Sequence, residues 1–238
     1  MLLSVLVPVF NEERLAAGTL KELLAVDFPG ETEIVVVDDG SRDRSWEVLQ
    51  SFEDNARVRL IRHDRNRGKS AAIRTAAQAA TGDNIVVFDA DGEYDAADLP
   101  RLLAPVLDGK ADVVYGSRSF GSHSAFSFWY VMGNKGITLA ANILFNSYIS
   151  DLETCYKLLP RQLYLDLNIR SGGFGMEAEL TAKLLKRGIR PYEVPISYTA
   201  RSREEGKKIT WTDGVQALWL LGRERVRRGK PRPRITRG

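Results

Sequence analysis

Three features of this 238-residue chain predict an α/β fold with a mostly parallel central sheet. Short apolar runs alternate with stretches of helical length along the first hundred residues. Those runs stop at carboxylates or glycine, as strands do where their carboxyl ends open onto a ligand crevice. With 44% hydrophobic and 27% charged residues, the chain is excluded from wholesale disorder and is long enough for a core without disulfides.

The elements follow in order. Leu2 to Pro8 is a run apolar on both faces, which fits a strand covered from both sides. Leu15, Leu20, Leu23 and Leu24 recur at roughly helical spacing. Glu33 to Asp39 is a second strand, and Ser41 is the expected N-cap of a helix with Trp46, Leu49 and Phe52 inward. Val58 to Ile61, an alanine-rich helix over Ser70 to Ala80, and Asn84 to Phe88 continue the alternation. Leu99 to Leu107 reads as helix and Asp112 to Arg118 as a strand leading into a loop. Residues 124–150 are aromatic and aliphatic with scattered polar positions. Tyr156 to Leu159 and Tyr192 to Ile196 read as strands, and Glu177 to Lys186 and Thr210 to Arg228 as helices. The Pro- and Arg-rich end from Gly229 does not continue a helix.

Composition bounds the setting. One cysteine, Cys155, and two distant histidines, His63 and His123, argue against an internal disulfide or a zinc cluster and favour a reducing compartment. The N-terminus lacks the basic segment of a cleaved signal peptide. The uncharged runs Ser119 to Asn134 and Gly136 to Ser150 fall short of the roughly 18 apolar residues of a membrane span. A soluble or peripheral protein is expected. From Arg201 onward, 12 Lys and Arg face 4 Asp and Glu, a net of +8, so residues 1–200 carry −5 of the whole-chain +3. A basic end on an acidic body suggests an anionic surface as partner.

The sharpest chemical signal is Asp89-Ala90-Asp91-Gly92-Glu93 after the fourth apolar run. Carboxylates this crowded repel one another unless a cation sits among them, and Asp89, Asp91 and Glu93 suit a hard divalent ion, Mg²⁺ or Mn²⁺. A solvated acidic turn is the plainer reading, but the place beyond a buried strand favours the metal. Asp38 and Asp39 end the neighbouring strand, where carboxylates can accept hydrogen bonds from a ribose or a base, or cap the next helix. Arg67-Gly68-Lys69-Ser70 resembles the end of a P-loop, but His63 stands where that motif needs glycine. Lys69 at a helix start can still meet a nucleotide or phosphate, or be a solvated loop residue.

Together these stretches resemble a known family. Pro8-Val9-Phe10-Asn11-Glu12, Val35 to Ser41 and Asp89-Ala90-Asp91 are similar to glycosyltransferase family two, inverting enzymes with the Rossmann-like GT-A fold. Gly116-Ser117-Arg118, Ser150 to Lys157, Gly173 to Glu177, and Tyr192 to Ile196 followed by Arg201 to Ile209 resemble its dolichyl- or polyprenyl-phosphate mannose synthase branch. The resemblance implies a single domain over 1–209, nucleotide-binding to about 118 and acceptor-binding beyond, then an amphipathic helix and basic tail over 210–238. It implies that Pro8, Phe10, Glu12 and Asp39, with Asp38, Lys69 and Ala90 nearby, hold the donor, a nucleotide sugar such as GDP-mannose or a UDP-hexose. Asp89 and Asp91 would bind metal and diphosphate; Glu93 stands where the branch often has glutamine. Arg118, Arg203, Lys207 and Lys208 would meet phosphates of donor or acceptor.

A phosphate monoester acceptor needs little help from a base. Asp151 or Glu177 could serve if the acceptor were a sugar hydroxyl on a polysaccharide or glycolipid. Polyprenyl phosphate lies in a membrane, and Trp211, Val215, Leu218 and Trp219 make one helical stripe just before the densest basic run, which suits an anionic bilayer interface. Phe126, Phe128, Trp129, Tyr130 and Val131 form a second such patch, with ordinary core as the alternative. The expected location is the cytoplasmic face of a membrane, with a membrane protein as a possible further partner. A receiver-like switch is disfavoured by length and by the position of Asp38 and Asp39, and nucleic-acid binding by the lack of aromatics in the basic tail.

Overall fold

In the computed structural model, residues 1–119, 128–173, 175–199 and 211–227 are described. Arg203, Lys207, Lys208, Phe126 and the basic run from Arg228 lie outside the described residues. Seven strands form one sheet in the order β3-β2-β1-β4-β6-β5-β7. β1 (Leu2–Val9), β2 (Glu31–Asp38), β3 (Val58–Arg62) and β4 (Asn84–Val87) are mutually parallel. β6 (Lys157–Pro160) runs against both β4 and β5 (Val114–Ser117), while β5 and β7 (Tyr192–Pro195) are parallel. The sheet is mostly parallel, as the alternation predicts.

Period-two alternation explains why the parallel strands read as continuous apolar runs. Leu3, Val5, Val7 and Val9 of β1 pack on one face with Leu20 and Leu23 of α1 (Ala16–Ala25), Leu49 of α2 (Ser45–Gln50) and Leu102 of α4 (Leu99–Leu107). Leu6, Val35 and Val37 point the other way, onto Ala72, Ile73 and Ala76 of α3 (Lys69–Ala79). That second face also takes Leu163 of α6 (Arg161–Leu167) and Leu180 of α7 (Gly175–Lys186). Both faces are covered, so inward positions on either side of these strands are apolar.

A third cluster joins helices to the loop that carries Ile149 and Leu152. Ala141 of α5 (Phe128–Phe145), Ala178 and Ala182 of α7, and Ala217 and Leu221 of α8 (Trp211–Val226) pack together, small residues letting the helices approach. α8 is thus seated on the domain by its alanine-leucine face. Val215, Leu218 and Trp219 stay exposed, and Phe128, Trp129, Met132, Leu139 and Ile143 of α5 do the same. Among the described residues no helix is long and apolar enough to cross a membrane.

Ser41 does not cap the helix after β2. Its Oγ accepts the Asn11 N–H at 2.9 Å, while Asp43 Oδ1 accepts the Ser45 N–H at 3.0 Å, next to the start of α2. The Asn11 side chain answers by accepting the Arg42 N–H at 2.8 Å, from a backbone at φ 56°. These exchanges bind the loop after β1 to the loop after β2 and fix the crevice wall.

Candidate active site

Register places the ligand side. Val9 lies opposite Asp38 and Leu6 opposite Val87, so β1, β2 and β4 deliver Phe10, Asp39 and Asp89 to one edge. There a cavity of about 260 Å³ is lined by Pro8, Phe10, Glu12, Asp39, Lys69, Asp89, Ala90 and Asp91, all named from the sequence. Asn66 also lines it, and sequence reasoning missed it; its place two residues before Gly68 is the only signal. Asp38 does not join them. Fully buried, it accepts the Ser41 N–H at 3.3 Å and pairs with Arg62 at 3.1 Å, which ties β2 to β3.

Asp39 organises the neighbouring loop. Its Oδ1 accepts the Arg67 N–H at 2.9 Å and its Oδ2 the Gly68 N–H at 2.7 Å, while His63 Nδ1 lies 2.6 Å from Oδ1. Gly68 sits at φ 89°, a conformation that suits glycine, and the turn it makes starts α3 at Lys69. Lys69 then reaches Asp89 Oδ2 at 2.5 Å, with Cys155 Sγ 3.6 Å away. Burial opposes the charge on Lys69, but Asp89, Cys155 and Glu177 hold its pKa well above the ordinary lysine value. Lys69 therefore stays cationic at the pocket wall, where an anion would meet it.

The expected trio of metal ligands does not assemble. Among the described residues no three His, Cys, Asp or Glu side chains form a metal-holding group. Glu93 turns instead to Tyr198, whose hydroxyl donates to its Oε2 at 2.6 Å across 105 positions of sequence. Asp89 and Asp91 remain at the cavity, and Asp91 Oδ1 accepts the Glu93 N–H at 3.0 Å. Two carboxylates are a fitting donor set for a hard divalent ion that completes its shell with substrate oxygens, not for an all-protein cage.

On the other side, carboxylates meet cations. Arg118 makes a two-pronged pair with Asp151, 2.7 Å from Nε to Oδ2 and 2.8 Å from Nη2 to Oδ1, and stacks on Tyr198 at 5.0 Å. Burial opposes ionisation of Asp151, but Arg118 and Asn134 hold its pKa below the usual carboxylate value. A carboxylate so held is a weak base. Glu177 is equally committed: buried Lys157 donates to its Oε2 at 2.7 Å and also to the Leu152 and Thr154 carbonyls. Between these pairs lies Glu153, both oxygens buried without a hydrogen-bond partner among the described residues, and burial pushes its pKa up to about 8. Sequence reading passed over Glu153 because one glutamate in a loop carries no signal.

The family model Glycosyl transferase family 2 matches residues 4–174. A dolichol-phosphate mannosyltransferase of Pyrococcus furiosus is 29% identical over 215 residues, covering 87% of this chain but only 59% of that protein. A UDP-N-acetylglucosamine–dolichyl-phosphate N-acetylglucosaminyltransferase of Methanococcus voltae is 24% identical over 230 residues, covering 87% of this chain and 90% of that one. Among solved structures, glucosyl-3-phosphoglycerate synthase from Mycobacterium tuberculosis, with Mn²⁺, UDP and glucosyl-3-phosphoglycerate, superposes at a TM-score of 0.70 and 20% identity, covering 93% of this chain and 79% of that one. That likeness carries the fold.

Proposed function

The chain belongs to glycosyl transferase family 2, and on that premise we propose that it moves a hexose from a nucleotide sugar to a polyprenyl phosphate at a membrane surface. The observation that carries the reading is the cavity where β1, β2 and β4 end, with Lys69, Asp89 and Asp91 on its wall. The names of the two archaeal relatives support a dolichyl phosphate acceptor, and mannose is the favoured sugar, with glucose or an N-acetylhexosamine open.

The committed carboxylates favour a phosphate acceptor over a sugar hydroxyl. A hydroxyl needs a base, yet Asp151 is held by Arg118 and Glu177 by Lys157. A phosphate monoester is already anionic. Its oxygen forms a bond to the anomeric carbon as the bond to the diphosphate breaks on the opposite side, which inverts the configuration. Lys69 offsets charge on the leaving diphosphate, and the side chains of Pro8 and Phe10 wall the donor pocket. Asp89 and Asp91 would hold Mg²⁺ or Mn²⁺, which when bound supplies further charge stabilisation to the diphosphate. The Mn²⁺ and UDP named with the mycobacterial structure support this choice. Arg203, Lys207 and Lys208 are proposed as further phosphate contacts.

Docking on an anionic membrane is supported by the exposed apolar residues of α5 and α8 and by the basic run that follows α8 in the sequence. A peripheral position on the cytoplasmic face is the setting this reading proposes. Each cationic side chain near an anionic surface contributes on the order of 1 kcal/mol, and salt screens it. Removing residues 228–238 should therefore release the protein from anionic vesicles at low salt, read by cosedimentation. Undiminished binding of the truncated chain would reduce the tail to a solvated end.

A further inference from the structure

We infer that Lys69 is a placeholder cation at the donor cavity: paired with Asp89, it holds down the affinity of Asp89 and Asp91 for a divalent ion until a diphosphate shares its charge. The inference rests on the nucleotide-sugar reading above and goes past it by making metal affinity depend on the nucleotide through one side chain.

Two separate elements build the pair. Asp39 accepts the Gly68 N–H at 2.7 Å, which fixes the turn from which Lys69 opens α3. Asp89 stands just past the end of β4. Their side chains meet at 2.5 Å, Nζ to Oδ2, with Cys155 Sγ 3.6 Å from the same nitrogen. The Asp89 side chain is 11% exposed and that of Lys69 34%, and both line the cavity together with Asp91. An ammonium therefore sits on one of the two carboxylates that would hold the metal.

Charge decides the direction of the effect. Asp89 and Asp91 bring two negative charges to the cavity wall, and Lys69 cancels one of them. A charge within about 4–6 Å of a carboxylate moves its proton equilibrium by about 10- to 1000-fold, and a divalent ion meets the same field with twice the charge. Lys69 thus opposes a metal ion at Asp89. A diphosphate acts the other way. Its anionic oxygens offset the ammonium, and they supply ligands that a pair of carboxylates leaves open on a hard ion. Lys69 therefore lowers affinity for the bare ion and raises affinity for the nucleotide. A side chain that only supported the fold would move both affinities in the same direction, or neither.

The test is calorimetric titration of Mn²⁺ alone, and of UDP and GDP each at saturating Mn²⁺, into the full chain and into Lys69→Met, Lys69→Gln and Lys69→Arg. Methionine and glutamine remove the charge at similar length; arginine keeps it. The folded neutral variants should bind Mn²⁺ alone at least about tenfold more tightly than wild type. They should bind the nucleotide that wild type accepts about tenfold more weakly, since a charge-assisted contact is lost. Lys69→Arg should gain no Mn²⁺ affinity. Unchanged or weaker Mn²⁺ binding by the neutral variants, with nucleotide still bound by wild type, would overturn the inference while the donor reading stands. Mn²⁺ bound by wild type as tightly without nucleotide as with it would overturn the inference with no variant needed. Failure of wild type to bind either nucleotide would overturn both.

Discussion

The half of the sheet from β3 to β4 and the half from β6 to β7 differ in the partners on which their carboxylates chiefly rely. In the first, side chains answer backbone N–H groups of neighbouring loops: Asp39 holds Arg67 and Gly68, Asp43 holds Ser45, and Asn11 holds Arg42. In the second, carboxylates answer cations: Asp151 with Arg118, Glu177 with Lys157, and Glu179 with Lys183 at 2.5 Å. Backbone donors stay neutral, so these contacts shape loops, while Asp38 with Arg62 and Asp89 with Lys69 keep charge pairs in this half as well. The second buries charge, and its stability depends on every partner being present.

The largest expected effect breaks that second arrangement. Lys157→Ala leaves Glu177 buried and unpaired, and the expected loss is about 3–5 kcal/mol of unfolding free energy. Chemical denaturation measures it, and joint replacement of Lys157 and Glu177 by methionines should recover most of the loss.

Glu153 sharpens the contrast through pH. Its pKa rises from the ordinary carboxyl value to about 8 on folding because burial penalises the charged form. Between those two values the folded chain holds a proton that the unfolded chain has released. Stability contributed by this group is complete below the unfolded value and declines as pH rises toward 8, by up to about 1.4 kcal/mol per pH unit. Asp151 behaves oppositely: its pKa is lowered, so its contribution is present above the unfolded value and is lost as pH falls through the folded one. Denaturation of wild type and Glu153→Gln at pH 6 and pH 8 separates the two. The variant should lose the alkaline decline; an unchanged difference between the two pH values would mean Glu153 is already ionised at pH 6.

The smallest effect lies in the first half. Asp43→Ala removes a carboxylate that accepts the Ser45 N–H and hydroxyl and the Glu13 N–H at the exposed start of α2, worth about 1–2 kcal/mol, and thermal unfolding should show a correspondingly small fall in Tm.

The same contrast decides what could be read from the chain. Asp39, Asp89 and Asp91 follow apolar runs within a few residues, so local pattern brings them to the cavity. Glu93 sits in that cluster too, yet its partner Tyr198 is distant in sequence, and local pattern gave no sign of that contact. Lys157 reads as a charged residue in a short strand, whereas a partner twenty positions on lets it be fully buried. α5 gave no helical signal because its apolar residues face outward as well as inward, which erases the contrast that marks an amphipathic helix. α6 follows β6 directly at Pro160, and no loop announces it. His63 registered as a break in a P-loop pattern and as one of two distant histidines; the fold turns it onto Asp39.

Sugar transfer itself tests the central claim most directly. Wild type and Asp91→Asn are each given radiolabelled nucleotide sugars and polyprenyl phosphate in anionic vesicles, with Mn²⁺ present or chelated. Labelled lipid should form with wild type and metal, and fall by about 10²–10³ with the variant or on chelation, since a charge-stabilising group at the leaving diphosphate is lost. Labelled lipid formed equally by wild type and a folded Asp91→Asn, with metal chelated, would contradict the account.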